Sequence, residues 1–353
     1  INLSKPLQEQ GPFSAILHKL TDVIVKAEAL TYGKNESANE DQKILSAFEA
    51  YLTSNPDILV IDPIDSVRTL IDRSKTYRLI DESPLAKEDG VIRPAFVELT
   101  TCNTITNLKL LKEYGVSFPF ICKPSLAHGS QLAHKMAIIF NEEGVKDITP
   151  PCVAQTFICH NAILYKLFAI GDSWYVVERP SLKNFHAGDQ ETIFFDSHDV
   201  SKANSVSSLN QLDEADLLRL LPKPCFAQFQ KIMTTVHKIL RMALFGVDVV
   251  IENKTGKYAI IDINVFPGRY DGVPNFFEVL CRYTVGELER RKTSTDKLDT
   301  QILLTESNAN NQEDSGIDTG DSSDEKKHRK SIKAVRRQHQ RTSSSTYAHA
   351  VAE

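Results

Sequence analysis

An α/β layer leading into an α+β unit, followed by a charged tail, is the fold class that this 353-residue chain predicts. Three patterns carry it. Up to about residue 81 a short apolar run alternates with helical stripes, and from about 82 to 292 β-rich runs joined by tight turns dominate. Beyond 292 the hydrophobic periodicity stops, so the expected segments are 1–81, 82–292 and 293–353. A hydrophobic content of 41% supports a real core, while the longest apolar runs are too short to span a bilayer.

In the first segment, Ala15-Ile-Leu17 reads as a strand end that passes through His18-Lys-Leu-Thr-Asp22 into a helix. Ile44, Leu45, Phe48, Tyr51 and Leu52 give a helical stripe over 42–53. Asp57 to Ile61 is a short strand, and Asp62-Pro63 supplies a cap and first turn for a helix bearing Val67, Leu70, Ile71, Arg73 and Lys75. In the second segment a helix near 104–114 ends at Gly115. Strands follow at 118–123, 135–140, 152–158, 163–170 and 173–179, with Gly171-Asp172 turning the last two into a hairpin. A helix over 226–243 carries Phe229, Ile232, Val236, Ile239 and Leu240 at helical spacing.

The tail has six acidic residues and no Lys or Arg over 313–325, then eight basic residues and no acid over 326–341. It cannot bury enough apolar surface to offset its ordering entropy, so disorder is expected. Its basic block reads as solvated, or as an anionic-surface or nuclear signal. The net charge of −5 argues against a general nucleic-acid binder. Cys102, Cys122, Cys152, Cys159, Cys225 and Cys281 lack a C-x-x-C spacing and read as reduced core thiols of a cytoplasmic protein.

The densest chemistry lies in Val247 to Gly268. Two runs rich in Val, Ile and Tyr flank Asn253-Lys-Thr-Gly256, whose Gly can take a positive φ. If Asn253 faces Lys257, Asp248 lies opposite Asp262, and Asn264 leaves the same face two residues on. Burying two carboxylates together is costly unless a cation or proton neutralises them. Few hard oxygen donors with room for phosphate oxygens suit Mg²⁺ better than zinc. Strand-end carboxylates facing water are the plainer alternative.

Cations for phosphate must come from outside the familiar loops, because no G-x-x-x-x-G-K-[ST], H-R-D or D-F-G occurs. Lys123, Lys166 and Arg179 each follow an apolar run, and on strands of one sheet they would converge. Pro124 to His134 holds Gly129, Ser130, His128 and His134, a loop whose backbone amides can close over phosphate or merely connect strands. Gln155 to Asn161 could bond an adenine edge through its backbone while Phe157 and Ile158 pack on the ring; a plain core strand end accounts for the same residues.

These pieces resemble the ATP-grasp family of inositol-tetrakisphosphate 1-kinases, also called inositol 1,3,4-trisphosphate 5/6-kinases. The matching segments are His18–Asp22, Asp72–Lys75, Phe118–Lys123, Ala127–Gly129, Gln155–Lys166, Arg179–Phe185, Phe194–His198 and Asp262–Gly268, in order over about residues 1–285. The resemblance implies ATP phosphate contacts from Arg73 and Lys123, and adenine and ribose contacts from Gln155 through Lys166, including Phe157 and Ile158. Ser181, Ser197 and Ser201 would line the nucleotide site. Asp248 and Asp262 would hold one Mg²⁺, and Asp262 and Asn264 a second. His134, Lys166, Asn264 and Gly268 would meet the inositol phosphate, with His18, Lys19 and His128 near it. Lys123, Asp262 and Asn264 would act in the chemistry itself, and a monomer is expected.

Three departures accompany it. The chain begins downstream of the family's first strand and Lys-rich turn, which would remove an inner strand and a substrate lysine. The His128–His134 loop is one residue longer, and Arg269 is inserted after Gly268. Two other readings follow: a non-catalytic inositol-phosphate or nucleotide binder, and an ATP-grasp carboxylate–amine ligase. The surplus of Lys and His near the acceptor favours a polyanion over the ligase's substrate.

Overall fold

The computed structural model describes residues 1–29, 36–128, 131–218, 221–268 and 270–310, with backbone alone at 29, 36–38, 131 and 294–310. The larger of two compact units spans Ile1–Val285. At its start β1 (Ala15–Leu17) pairs in parallel with β2 (Leu59–Ile61), and α1 (Thr21–Ala29) and α2 (Glu36–Ser54) connect them. Then come α3 (Ile64–Ile71), α4 (Arg73–Asp81), β3 (Val91–Ile92), β4 (Phe96–Leu99), α5 (Thr104–Glu113), β5 (Phe120–Pro124), β6 (Lys135–Ile139) and β7 (Cys152–Thr156). The hairpin β8 (Ile163–Ile170) and β9 (Ser173–Pro180) leads to β10 (Ile193–Asp196), α6 (Ser197–Ser201) and α7 (Glu214–Leu217). The series closes with α8 (Phe226–Leu240), β11 (Leu244–Ile251), β12 (Tyr258–Val265) and α9 (Phe276–Asn310).

Two five-stranded sheets dominate. One has the antiparallel order β10-β6-β5-β7-β4, and the other the order β3-β12-β11-β8-β9, antiparallel except where β3 meets β12. Period-two alternation gives each sheet a core face and a second face. In the first sheet Phe120, Cys122, Ala137, Ile139, Cys152 and Ala154 pack with Leu111 of α5. Lys123 and Gln155 leave the other face. In the second, Val247, Val249, Ile263 and Val265 pack on Phe229, Ile232, Met233 and Val236 of α8. Asp248, Asp262 and Asn264 leave its other face.

The expected single helix through Arg73 is two helices. Asp72 adopts φ −98°, ψ 111° and caps α4, its side chain accepting from the Lys75 amide at 3.0 Å. Arg73 therefore starts a new helix rather than continuing an exposed turn, and it is 2% exposed. Asp62 is not the side-chain cap of α3. Its carboxylate accepts instead from the amides of Ala243 (2.5 Å) and Leu244 (3.0 Å), tying the end of β2 to the start of β11. Helix α8 stops at Leu240, before the expected 243, because Arg241 turns left-handed at φ 53°.

Lys123 stands on one five-stranded sheet, while Lys166 and Arg179 stand on the other, so the three do not share one sheet. Cys122 and Cys152 are buried, but Cys102, Cys225 and Cys281 are exposed; all six are free thiols. Helix α9, which begins before the expected boundary at 292, extends to Asn310. Of the tail expected to be disordered over 293–353, residues 311–353 lie outside the described residues, as do the insertion at Arg269, Gly129 and Ser130. No described helix is long and apolar enough to cross a membrane.

Candidate active site

The second faces of the two sheets enclose a cavity with about 950 Å³ of empty space, open to solvent. Its wall brings together Arg73, Lys123, His134, Gln155, Phe157, Ile158, Lys166, Ser181, Ser197, Ser201, Asp248, Asp262 and Asn264. Residues from nine separate stretches of chain thus converge in one space.

Register places the charged row. Lys166 on β8 lies opposite Asp248 on β11, and Asp248 lies opposite Asp262 on β12. The turn that produces this pairing is not the expected one. Glu252, rather than Asn253, faces Lys257, and a bulge then restores the carboxylate pair. Val249 pairs with Ile260 and Asp248 with Asp262, leaving Ile261 as the extra residue. Gly256 takes φ +68° at the tip.

Each carboxylate has a cation. Lys166 Nζ stands 2.9 Å from Asp248 Oδ1, and Asn264 Nδ2 donates to Asp248 Oδ2 at 3.1 Å. Arg73 Nε is 3.6 Å from Asp262 Oδ2, and the Ile263 amide donates to Asp262 Oδ1 at 3.0 Å. Burial alone would raise the Asp262 carboxyl, but Arg73, Lys123 and Lys166 hold it below the usual carboxylate range. Arg73 also donates to the carbonyls of Pro124 (2.7 Å), Leu126 (3.2 Å) and Ala133 (3.3 Å). One guanidinium thus joins α4, the loop after β5 and the hairpin.

Lys123 is 5% exposed, and burial pushes its ammonium down to about 8 against the pull of Asp262. It donates to Ile261 O (2.7 Å), Gln155 Oε1 (2.8 Å) and Tyr77 Oη (2.9 Å). Tyr77 was not among the residues that the sequence singled out.

The opposite end of the cavity is neutral. His160 Nδ1 lies 2.6 Å from Ile158 O, so that nitrogen carries the proton, and Nε2 accepts from Ser181 Oγ at 2.7 Å. Burial pushes this imidazole down to about 4. Asn253 Nδ2 donates to Asn161 Oδ1 (2.6 Å) and Asn184 Oδ1 (3.1 Å), and its amide donates to Cys159 O (3.0 Å). Asn161 and Ala162 are left-handed, at φ 51° and 58°, a conformation this network holds in place. Phe157 packs edge-on against Phe185, with ring centroids 5.8 Å apart. His160 and Asn161 lie in the Gln155–Lys166 segment expected to hold adenine and ribose, whereas Asn184 and Asn253 were given no site role from sequence.

His134 Nδ1 is 3.3 Å from Ser197 Oγ, and its ring stacks on His198 with centroids 3.6 Å apart. Burial and the neighbouring His198 lower the His134 imidazole. His18, Lys19, His128 and Gly268 are not part of the cavity wall. Lys19 Nζ sits 5.3 Å from the Phe266 ring centre, and a methyl group on Gly268 would lie 3.8 Å from that ammonium. His18 Nε2 bonds Asp62 O at 2.7 Å, while His128 Nε2 is buried without a hydrogen-bond partner among the described residues. Burial pushes His128 down to about 4. Arg179 points elsewhere, donating to Asp271 O at 2.7 Å.

Among the described residues no group of three or more His, Cys, Asp or Glu side chains forms a self-sufficient metal cluster. The hard-oxygen set of Asp248, Asp262 and Asn264 still fits a divalent cation, provided that phosphate or water completes the shell. Because Lys166 and Arg73 already balance the two carboxylates, such a cation needs added negative charge. The arrangement is therefore suited to a metal arriving with phosphate.

Residues 85–286 match the family model described as the inositol 1,3,4-trisphosphate 5/6-kinase ATP-grasp domain, and residues 1–67 match its pre-ATP-grasp domain. The chain is 43% identical over 300 residues to an inositol-tetrakisphosphate 1-kinase of Xenopus laevis, covering 84% of this chain and 73% of that protein. It is 43% identical over 292 residues to the enzyme of the same name from Danio rerio, covering 82% and 71%. A solved D-alanine–D-alanine ligase from Bacillus anthracis aligns at 13% identity and TM-score 0.45, covering 82% of this chain and 85% of that one, a similarity too slight to argue from. With both family models matched in order and 43% identity sustained over most of its length, this chain belongs to the inositol 1,3,4-trisphosphate 5/6-kinase family and has the ATP-grasp fold.

Proposed function

We propose that this chain is an ATP-dependent kinase that transfers the γ-phosphoryl group to a ring hydroxyl of an inositol polyphosphate. The acceptors are inositol 1,3,4-trisphosphate, at the 5- or 6-position, or inositol 3,4,5,6-tetrakisphosphate, at the 1-position. The observation that carries this reading is the cavity whose two walls set Lys123 and Arg73 against the Asp248–Asp262 pair.

In this reading the strand end from Gln155, with Phe157 and Ile158, seats the nucleoside, and Ser181, Ser197 and Ser201 complete that side. Lys123 and Arg73 draw the phosphates inward. Asp248, Asp262 and Asn264 would hold two Mg²⁺ ions, which supply charge neutralisation to the phosphates. His18, Lys19, His128, His134, Lys166, Asn264 and Gly268 receive the acceptor's phosphates and align its hydroxyl. Catalysis is then positioning and electrostatic stabilisation, with no covalent enzyme intermediate. We further assign the chain to the cytoplasm as a monomer, divided functionally at residues 81 and 292.

Incubation of the protein with ATP, Mg²⁺ and inositol 1,3,4-trisphosphate tests the reading, with a more highly phosphorylated inositol as the expected product. Tight binding of both ligands without product would leave a binder instead. ADP release that depends on an amine and a carboxylate would point to a ligase.

A further inference from the structure

The ammonium of Lys123 has three protons, and all three are used. Their acceptors are Ile261 O at 2.7 Å, Gln155 Oε1 at 2.8 Å and Tyr77 Oη at 2.9 Å. A phosphate can therefore reach this lysine only by replacing one of them. The three differ in how firmly they are held.

Ile261 O is backbone, and it belongs to the bulged residue of β12, which has no register partner on β11. Tyr77 Oη is fixed twice. Its proton is donated to the same Ile261 O at 2.9 Å, so its lone pairs are what meet Lys123. Its ring stands edge-on to Phe96 with centroids 5.2 Å apart, and the residue is 5% exposed. Gln155 Oε1, by contrast, has Lys123 as its hydrogen-bond partner, and Gln155 lies in the cavity wall, where Tyr77 does not. Anything entering from the cavity meets Gln155 first.

We infer that Tyr77 is a positioning residue whose hydroxyl, with the bulge carbonyl of Ile261, forms a fixed socket for the Lys123 ammonium, and that the Gln155 amide oxygen is the place-holder a nucleotide phosphate displaces. The inference rests on the kinase reading for the identity of its ligand. It adds a division of labour to the three acceptors. Two stay with the lysine through the binding event, and one is exchanged for phosphate.

Calorimetric titration of the full chain with a non-hydrolysable ATP analogue and with AMP tests it, because AMP lacks the outer phosphates. Tyr77→Phe keeps the ring and removes the hydroxyl. It is expected to weaken the ATP analogue about tenfold, as fits the loss of one hydrogen bond to a charged group. AMP affinity should be unchanged. In a Lys123→Met background the same substitution should have no further effect, which a merely structural role of Tyr77 would not produce. Gln155→Met should weaken the analogue less than Tyr77→Phe does. Equal losses for ATP analogue and AMP, or full additivity with Lys123→Met, would overturn the socket. So would wild-type affinity in Tyr77→Phe, and a greater loss from Gln155→Met would overturn the place-holder. A wild-type chain that bound neither nucleotide would overturn the kinase reading as well, which separates the two failures.

Discussion

The two ends of the cavity are built on opposite principles. At the hairpin end, two carboxylates and three cations lie within one network, each carboxylate offset by a cation: Asp248 by Lys166, Asp262 by Arg73, with Lys123 close by as the third positive charge. At the far end, His160, Ser181 and the three asparagines exchange hydrogen bonds without net charge. The first kind of network can trade partners when a charged ligand arrives, because each ion pair has an alternative. In the second, the donors of His160, Ser181 and Asn253 are all committed, Asn253 Oδ1 alone of these side-chain atoms having no partner among the described residues. Trading would leave further buried polar groups unpaired. The charged end is thus built for exchange, and the neutral end for shape.

That contrast can be broken most severely at Asp262. Asp262→Ala should lower turnover by about a thousandfold or more, the scale of losing a major electrostatic element of a phosphoryl-transfer site. Steady-state assays with ATP, Mg²⁺ and inositol 1,3,4-trisphosphate would show it, and near-native turnover would remove the carboxylate from the machinery.

The neutral end should reveal itself through acid stability. His160 is held near 4, below its ordinary 6.5, so its contribution is complete above 6.5 and is lost as the pH falls towards 4. His128 acts in the same direction, while Asp62, raised to about 6 by burial, acts in the opposite one, favouring the fold as the pH falls. His160→Gln should flatten the acid side of the stability curve by on the order of 3 kcal/mol relative to wild type. Urea midpoints measured between pH 4 and pH 7 would read this, and parallel curves would sink it.

A smaller effect is expected from Asn253→Ala. Loss of its two side-chain hydrogen bonds loosens the turn that follows β7, so KM for ATP should rise about tenfold with KM for the inositol phosphate unchanged. Equal changes in both constants would mean that the asparagines hold the whole cavity and not its nucleoside end. Smallest of all is Ser201→Ala. Its hydroxyl is turned onto Ser197 O in its own helix at 2.9 Å, so the change in KM for ATP should stay within about threefold, as for loss of one neutral hydrogen bond.

Much of this was legible in the sequence, for reasons that are themselves physical. Lys123 ends an apolar run, and alternation then obliges its side chain to leave the face opposite Cys122. The Asp248–Asp262 pairing was also foreseen, although the turn was expected one residue out of place and the bulge compensated. A bulge at Ile261 leaves no mark in a run such as Tyr-Ala-Ile-Ile-Asp, where every residue suits a strand. Arg73 was assigned to the wrong helix because the stripe of Val67, Leu70 and Ile71 hides the break at Asp72, although Asp72-x-x-Lys75 is a capping pattern. Tyr77 gave no signal, since one aromatic residue on a helix reads as core. The split of the cations between two sheets was hidden for another reason. Strand order β10-β6-β5-β7-β4 is set by long-range pairing, to which local periodicity is blind.

The bulge has one more implication. Take Ile261 out of the chain and the ladder becomes regular: Ile260 still meets Val249, Asp262 still meets Asp248, and Ile263 still falls on the core side. Neither the carboxylate pairing nor the packing against α8 requires the extra residue. What disappears is the Ile261 side chain, packed by Leu164, Val250 and Ala259 at the cavity wall, and with it the oxygen on which both Lys123 and Tyr77 converge. A one-residue deletion would thus split the cavity's acidic pair from its lysine while leaving the hairpin in phase. The two halves of the chemistry are joined by one surplus peptide unit.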